Sequence, residues 1–377
     1  MIQLNLRAFI IPVLFCIMLF AGCDNGSSDP SADNGSSGPS ADNGGDSDQE
    51  HAAGQVKITI VGDINLGSGV GESVELNGNG DYKFPFLYVA DYLKSADITV
   101  GNLESIISDK GTDTKQVTGV SLRAAPGAIN GLLYAGFDVV SVANNHFGDW
   151  DFEAMQDGMS RLTAAGISYV GGGNNFNGAH SFVIKEINGQ RIAFLGYSCV
   201  PMYMDAIGLG QTPTPKWIAR ADRAGLAWAH NTRFDNYGNL DQMANDIKLA
   251  KASAGIVIVM WHFGWEYEFI PRDTEKVLAH AAIDAGATLV VGHHPHVVQW
   301  LDDNKTDAIE RYNGGYIAYS LGNFIFDISS GYKETELHGA QTHGLLLNIT
   351  VENGAIKSIE QVKTHYHDDY WQAQFDE

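Results

Sequence analysis

The chain has 377 residues, of which 44% are hydrophobic and 18% charged, a composition typical of a globular protein that can bury a core. Its formal net charge of −22 argues against nucleic acid as a partner, because phosphate backbones are bound by lysine and arginine side chains. The same charge repels a polyanionic substrate unless metal ions offset it locally.

Residues 1–23 have the features of a bacterial targeting segment. Arg7 supplies positive charge, and residues 8–21 are almost wholly apolar, a run shorter than the roughly 20 residues that span a bilayer. The sequence LFAGC at 19–23 resembles the lipobox of bacterial lipoproteins. This resemblance implies that the chain is cleaved before Cys23 and that Cys23 is acylated. The protein would then be exported and anchored by lipid to the cell envelope. The resemblance does not specify the membrane leaflet. An uncleaved signal anchor is the alternative.

Residues 24–51 are predicted to be a flexible linker. They repeat with a nine-residue period as DNGSSDPSA, DNGSSGPSA and DNGGDSDQE, and they offer no apolar face to bury. The predicted domain then spans residues 52–377. Cys199 is its sole cysteine, so we expect no disulfide bond.

Strand-like and helix-like segments alternate from residue 56 onward. The predicted strands are 56–62, 97–101, 137–143, 256–261, 287–292 and 316–322. The predicted helices are 84–96, 126–136, 152–166, 240–255 and 274–286. Hairpins are predicted at 182–197 and 345–362, each with an Asn-Gly turn. Alternating βα units followed by hairpins predict a layered α/β domain with two packed sheets.

Side chains that commonly bind metals follow five of the predicted strands. They are Asp63 and Asn65; Asn102 and Glu104; Asn144, Asn145 and His146; His262; and His293, His294 and His296. Taken singly, an Asp or Asn after a strand is usually a turn or cap residue, and a lone His is usually structural. Ligands bind at the carboxyl ends of strands in open α/β sheets. The coincidence at five strand ends therefore predicts one site.

The segment Gly-His-His-Pro-His at 292–296 is the strongest single signal for metal. Packing hardly explains three imidazoles so close together, and we expect His294 and His296 to point to the same side of an extended segment. A nitrogen and oxygen ligand set without thiolate favours Zn²⁺, Mn²⁺, Fe or Co over a closed structural zinc site. A bridging carboxylate with flanking ligands can hold two ions about 3.5–4 Å apart.

Six motifs in order carry a family resemblance. They are GDINLG (62–67), GNLES (101–105), ANNHFGDW (143–150), MWHFGWEYE (260–268), GHHPHVVQ (292–299) and YSLGNFIFD (319–327). Together they resemble the CapA family of poly-gamma-glutamate capsule synthesis proteins, which is similar to the calcineurin-type metallophosphoesterases. The resemblance covers about residues 56–330 and implies an α/β fold arranged as a four-layer α/β/β/α sandwich.

The resemblance also implies roles for the motif residues around two divalent metal ions. By the motif match, Asp63 and His296 bind the first ion, Glu104 bridges both ions, and the second ion is bound by Asn145, His262 and His294. His146 would be the general acid, and Asp149, three residues later, would orient it.

Further residues are assigned to substrate binding. Arg123 would neutralise a substrate oxyanion, and the alternative is a surface salt bridge. Asn144, His293 and Asn323 complete the predicted substrate-binding set, although packing explains Asn323 equally well. Trp261, Trp265 and Tyr267 are candidates for lining a substrate groove. The alternative is that these aromatic residues pack in the core.

Three positions depart from the phosphoesterase pattern. Asn65 is a predicted ligand of the first ion where that pattern has a histidine, and an amide oxygen binds metal more weakly than an imidazole does. Glu104 replaces the usual bridging Asp, and Asn144 replaces a Gly. These departures favour the CapA family over a generic phosphatase, and they predict a loose or empty first metal site.

Three functions follow from this pattern. The first is a metal-dependent hydrolase or transferase that acts on an anionic polymer or a phosphoester in capsule or envelope metabolism. The second is a non-catalytic accessory subunit that binds the polymer or a membrane synthase complex. The third is a generic exported phosphoesterase, against which Asn65 argues.

Overall fold

Two mixed β-sheets form the framework of the chain. The computed structural model describes residues 54–114, 120–200, 217–229, 240–302, 304–327, 336–367 and 370–376. The predicted leader, the lipidation site at Cys23 and the linker lie outside these ranges. Among the helices that the structure describes, none is long and apolar enough to cross a membrane.

The described chain contains eighteen strands and eight helices. The strands are β1 (Gln55–Ile64), β2 (Ile98–Leu103), β3 (Ile106–Ile107), β4 (Arg123–Ala124), β5 (Val139–Ser141), β6 (Ser168–Val170), β7 (Gly172–Gly173), β8 (Val183–Ile187), β9 (Gln190–Ser198), β10 (Gly225–Leu226), β11 (Ile256–His262), β12 (Leu289–His293), β13 (Ile309–Tyr312), β14 (Gly315–Ala318), β15 (Asn323–Ile325), β16 (His343–Glu352), β17 (Ala355–His367) and β18 (Gln372–Phe375). The helices are α1 (Ser68–Asn77), α2 (Ala90–Leu93), α3 (Ala128–Ala135), α4 (Asp151–Ala164), α5 (Phe176–Ala179), α6 (Leu240–Ser253), α7 (Asp273–Ala285) and α8 (Glu336–Gln341).

The first sheet has eight strands and the second has six. The first runs in the order β18-β17-β16-β1-β2-β5-β6, and β15 also pairs with β1. The second runs in the order β13-β14-β12-β11-β9-β8. The strands β1, β2, β5 and β6 are parallel to one another, as are β9, β11, β12 and β14. Each sheet therefore gathers several strand C-termini at one edge.

Strand β11 shows how the sequence builds these layers. Its residues alternate between two apolar clusters: Ile258 packs in a cluster that also contains Ile58 of β1 from the other sheet. Val259 packs in a second cluster that also contains Ile247 of α6 and Leu278 of α7. Both faces of β11 are thus buried, which is why its sequence is an uninterrupted apolar run. The mixed α/β class predicted from the sequence is confirmed.

Both predicted hairpins are confirmed, and their turns explain why. Asn188 and Gly189 have φ values of 51° and 75°, and Asn353 and Gly354 have φ values of 53° and 72°. A two-residue turn between right-twisted strands requires positive φ at both positions, which asparagine and glycine adopt at low cost. The β16–β17 hairpin is longer than predicted and is continued by β18.

The predicted helix at 84–96 is wrong. The chain forms a 3₁₀ turn at Phe84–Phe86 and then the short helix α2. Val89 stands between them with φ of −119°, far from the helical value of about −63°. Pro85 sits in the 3₁₀ turn, where its missing N–H costs no hydrogen bond. The apolar spacing reflects burial of successive turns rather than one helix.

Candidate metal centre

The strand ends that carry the predicted ligands meet in one place. Within each sheet the register aligns them, with Asp63 beside Asn102 and His262 beside His293. Across the sheets, ligand atoms within 4.8 Å of one another form three groups that share members: Glu104, His262 and His294; Asp63, Glu104 and His296; and Glu266, His294 and His296. The described residues therefore include groups able to bind metal at this edge.

The histidine segment after β12 reaches the site through an unusual backbone. His294 has φ of 100° and His296 has φ of 56°, both in the left-handed region that residues with a Cβ rarely adopt. The expectation of an extended segment is therefore wrong, although both rings do converge. The N–H of His294 donates to Asp63 Oδ2 at 3.1 Å, which holds this strained turn against β1. Such strain is found where function requires it.

Asn102 lies at the centre of the cluster and ties its members together. Its amide nitrogen donates to Asp63 Oδ1 at 2.9 Å and lies 3.5 Å from Glu104 Oε2. The same nitrogen lies 3.3 Å from Nδ1 of His262. Its amide oxygen accepts from Asn144 Nδ2 at 3.2 Å. Asn102 thereby fixes two carboxylates and one imidazole relative to each other.

Asp63 is fully buried and surrounded by donors. Nδ1 of His293 lies 3.1 Å from Oδ1, and Nδ1 of His296 lies 3.5 Å from Oδ2. Burial opposes ionisation, but His293, His296 and Asn102 together hold the pKa of Asp63 below its ordinary value. Asp63 is therefore an anion at neutral pH, as a metal-binding carboxylate must be.

Glu104 has the opposite electrostatic environment. Burial and the neighbouring charge of Asp63 raise its pKa well above the ordinary value. Its Oε1 lies 3.5 Å from His262 Nε2 and 3.7 Å from His296 Nε2. This buried oxygen has no hydrogen-bond partner among the described residues. A buried carboxylate oxygen in this state requires a cation or a proton.

Two of the buried imidazoles, those of His262 and His294, are held neutral. Burial lowers the pKa of His294 to about 3, with His296 contributing in the same direction and Asp63 opposing it. Burial and the neighbouring histidines also lower the pKa of His262 well below its ordinary value. Neutral imidazole is the form that binds metal. Nε2 of His262 lies 2.7 Å from Asn145 Oδ1, which brings the amide into the site.

Unpartnered buried polar atoms test whether a metal fits here. Within the described ranges, Glu104 Oε1, His294 Nδ1 and His293 Nε2 have no hydrogen-bond partner. These atoms lie in a donor set of carboxylate oxygens and imidazole nitrogens without sulfur. Divalent cations such as Zn²⁺ or Mn²⁺ would satisfy them, so the residues present fit a metal centre.

His146 and Asp149 form a buried pair beside this cluster. Nδ1 of His146 lies 2.7 Å from Asp149 Oδ2, and both side chains are at most 9% exposed. The same carboxylate oxygen accepts from the N–H of Leu122 at 2.7 Å. Asp149 is thus anchored by the backbone and fixes the His146 ring, as the motif spacing predicted.

Asn65 and Arg123 are engaged in hydrogen bonds with neighbouring loops. Asn65 Oδ1 accepts from the N–H of Gly67 at 2.9 Å, and its Nδ2 donates to Asp327 at 2.5 Å. Arg123 donates from Nε to the Ser108 carbonyl at 2.6 Å, and its guanidinium lies over the Trp150 ring. Ligation by Asn65 and substrate binding by Arg123 remain predictions.

The other predicted substrate residues lie among the ligands. Asn323 Oδ1 lies 2.8 Å from His296 Nδ1, and its amide nitrogen donates to the carbonyl of Gln341. Asn144 donates to the Leu103 carbonyl at 2.8 Å. Asn144 and Asn323 therefore orient site residues directly.

Two contributions were missed or left without a role by the sequence. Asn102 was noted at a strand end, but its central hydrogen bonding depends on the register of β1 and β2. Glu266 is exposed and joins His294 and His296 in one potential ligand group. Its position four residues after His262 was the available signal.

Trp261 is fully buried and stacked on Phe263, so it packs in the core and does not line a groove.

The family of the chain follows from comparison with known proteins. Residues 57–328 match the family model described as "Bacterial capsule synthesis protein PGA_cap". The chain belongs to this family, as the motif resemblance predicted. The match covers every residue of the metal centre described above.

Three relatives illustrate the similarity. The capsule biosynthesis protein CapA of Bacillus anthracis is 34% identical over 72% of this chain and 60% of that protein. The PGA biosynthesis protein CapA of Bacillus subtilis is 31% identical over 71% of this chain and 63% of that protein. A "Probable polyglutamine synthesis accessory protein" of Mycobacterium tuberculosis is 27% identical over 66% and 60%. The chain thus matches about three fifths of the length of these relatives.

Proposed function

We propose that this chain is a metal-dependent hydrolase or transferase of capsular poly-gamma-glutamate synthesis, exported and anchored to the cell envelope through lipid at Cys23. The observation that carries the proposal is the buried cluster around Glu104, whose Oε1 has no hydrogen-bond partner among the described residues. The relatives named for capsule and PGA biosynthesis support the polymer as substrate.

The proposed centre holds two divalent ions, which are Mn, Zn or Fe. Glu104 belongs to two of the potential ligand groups and would bridge the ions. Asp63 and His296 would hold one ion, with Asn65 as a further ligand, and Asn145, His262 and His294 would hold the other. Bound divalent ions polarise a phosphoryl or carbonyl oxygen and stabilise the negative charge that develops in the reaction. The proposed layer order is the α/β/β/α sandwich that the resemblance implies.

His146 is the proposed general acid. Because Asp149 occupies Nδ1 at 2.7 Å, Nε2 is the nitrogen that would donate a proton to the leaving oxygen or nitrogen of the substrate. Asp149 would hold the ring and stabilise its protonated form. Arg123, Asn144, His293 and Asn323 would contact or position the anionic substrate.

The test is turnover of γ-glutamyl and phosphodiester substrates by the purified full-length chain after metal loading. His146→Ala should lower kcat by about 10²–10⁴-fold, the range that general acid catalysis contributes. His280→Gln, a substitution on α7 away from the centre, is the matched control and should retain activity. Wild-type turnover that is equally fast in His146→Ala would contradict the assigned role.

A non-catalytic accessory role is the second candidate, favoured by the name of the Mycobacterium tuberculosis relative, an accessory protein of polyglutamine synthesis. In this case the metal centre would bind the carboxylates of the growing polymer, or it would stabilise a surface that contacts a membrane synthase. Stoichiometric metal with no turnover of any tested substrate, together with metal-dependent binding of the polymer, would support this candidate over the first.

A further inference from the structure

A cavity of about 610 Å³ lies outside the metal centre. Its lining includes Phe269 and Trp300, the start of β16 and Lys363 of β17. Val298 contributes buried apolar surface, and Lys305 lies at the rim. None of these residues belongs to the potential metal-ligand groups, so the cavity is a separate feature.

The cavity concentrates positive charge on a strongly acidic chain. The chain has 45 acidic and 23 basic residues, yet both Lys305 and Lys363 line this cavity. Their ammonium groups lie over the rings of Phe269 and Trp300, at 5.3 and 5.8 Å from the ring centroids. Within the described part of the chain, neither ammonium group forms an ion pair with a carboxylate.

The remaining polar groups of the cavity include one carboxylate, which is engaged by a histidine. Asp376 is its lining carboxylate, and Oδ1 of Asp376 lies 2.7 Å from Nδ1 of His365. His343 also lines the cavity, with its Nδ1 2.6 Å from the Gly339 carbonyl oxygen. The lining therefore combines two lysines, one histidine and two aromatic rings against a single carboxylate.

The cavity and the metal centre share a wall. Val298 lies two residues after His296 and pairs with Leu321 in an isolated bridge. Gly344 of the cavity pairs in the same way with Gly322. The next residue, Asn323, contacts the ring of His296. The backbone that lines the cavity is therefore directly paired with the backbone that carries Asn323 of the metal centre.

We propose that the cavity binds carboxylate groups of an extended anionic chain whose reacting part lies at the metal centre. The inference rests on the proposed function for the identity of that chain. Each residue of a γ-linked glutamate polymer carries a free carboxylate and a short methylene segment. Lys305 and Lys363 would pair with the carboxylates, and Trp300 and Phe269 would contact the methylenes. The cavity thus supplies local attraction that offsets the overall repulsion of a polyanion.

The test is binding of a fluorescently labelled γ-linked glutamate oligomer to the purified full-length chain, with and without a metal chelator. Lys305→Gln combined with Lys363→Gln should raise Kd at least about tenfold, because charge-assisted contacts are lost. Lys248→Gln combined with Lys276→Gln removes the same charge from an exposed position on α6 and a half-buried position on α7, and should leave Kd unchanged. Thermal unfolding of all variants verifies that they are folded.

Two results would overturn the proposal. Both concern oligomer binding, so they can be distinguished from a lack of turnover, which would contradict the proposed catalytic function. Oligomer binding that is abolished by chelation but unchanged in the double variant would confine recognition to the metal centre. Equal weakening by the two double variants would show only an effect of net charge. Loss of binding in the cavity variant, with retained metal and retained turnover of a short substrate, supports the cavity whatever the metal centre catalyses.

Discussion

At the scale of single residues, Asn102 holds the metal centre together through one amide group. It contacts Asp63, Glu104 and His262, which lie on three different strands or strand ends. Outer hydrogen bonds of this kind orient metal ligands, and their loss typically costs 10–100-fold in metal affinity. Metal binding at this site should therefore depend on Asn102, although Asn102 is not itself a predicted metal ligand.

Asn102→Leu removes these hydrogen bonds while keeping a similar volume. We expect metal affinity to fall by about 10–100-fold, measured by competition with a chelating dye. Asn174→Leu replaces an exposed amide away from the site and serves as the control. An unchanged affinity in a folded Asn102→Leu variant would show that Asn102 has no organising role.

His294 predicts a specific pH dependence of the metal-free chain. Its pKa is about 3 in the folded state, whereas a free imidazole titrates near about 6.5. Between these values the unfolded chain binds the additional proton, so the unfolding free energy falls as pH decreases, by up to about 1.4 kcal/mol per pH unit. The full stability is present above pH 6.5.

Urea unfolding of the metal-free chain at several pH values measures this effect. Glu104, with its raised pKa, acts with the opposite sign, so the informative quantity is the difference between wild type and His294→Asn. The slope below pH 6.5 should be smaller in the variant. Identical slopes would mean that His294 is not held neutral in the folded chain.

The sequence predicted most members of the potential ligand groups because strand ends are recognisable and their side chains are of metal-binding types. It did not predict how His294 and His296 converge, because left-handed φ at a residue with a Cβ arises from tertiary contacts such as the Asp63 hydrogen bond. The engagement of Asn65 by Gly67 and Asp327 is likewise a property of the folded loop.

At the scale of elements, the end of β12 is packed too closely for any side chain at Gly292. A Cβ there would overlap the carbonyl oxygen of Tyr319 and the ring of Phe263. Gly292 directly precedes His293 and His294. The close approach of the Gly292 backbone to Tyr319 therefore fixes the position from which these two histidines extend. Glycine at this position is required by sterics rather than by a turn.

Gly292→Ala should destabilise the chain by about 1–3 kcal/mol, the usual cost of overpacking a core, and should also weaken metal binding. Chemical denaturation and metal titration measure the two effects. Gly71→Ala, in α1, places a Cβ at ordinary contact distances and should be neutral or slightly stabilising. Equal stability of the two variants would contradict the close packing at β12.

Elements with local signals were predictable and those set by tertiary packing were not. The Asn188-Gly189 and Asn353-Gly354 turns carry their conformation in their own residue types. The segment around Val89 has helical spacing of apolar residues, but it breaks into a 3₁₀ turn and a short helix. Spacing alone does not distinguish one helix from successive buried turns.

At the scale of the whole molecule, the centre joins the two sheets. Asp63 lies in β1 and Glu104 follows β2 in the first sheet, whereas His262 ends β11 and His294 follows β12 in the second. A ligand that binds the folded state stabilises it, by about 2.7 kcal/mol at a concentration 100 times its Kd. Metal should therefore act as a cross-link between the sheets.

Chelation should lower the Tm of the full-length chain, and readdition of Mn²⁺ or Zn²⁺ should restore it. Glu104→Gln keeps the shape of the side chain but removes the bridging charge, so its Tm should respond much less to metal. Differential scanning calorimetry measures both. A metal-dependent shift of equal size in Glu104→Gln would exclude Glu104 as a ligand.

The most direct test of the metal centre is elemental analysis of the purified full-length chain after loading separately with Mn, Zn, Fe or Co. We predict that the wild-type chain retains at least one tightly bound ion, and two ions when both proposed positions are filled. The His262→Ala variant should lose metal, whereas the His280→Gln variant should retain it. A wild-type chain that retains no metal under any loading condition, or a His262→Ala chain that retains as much as wild type, would contradict the centre described here.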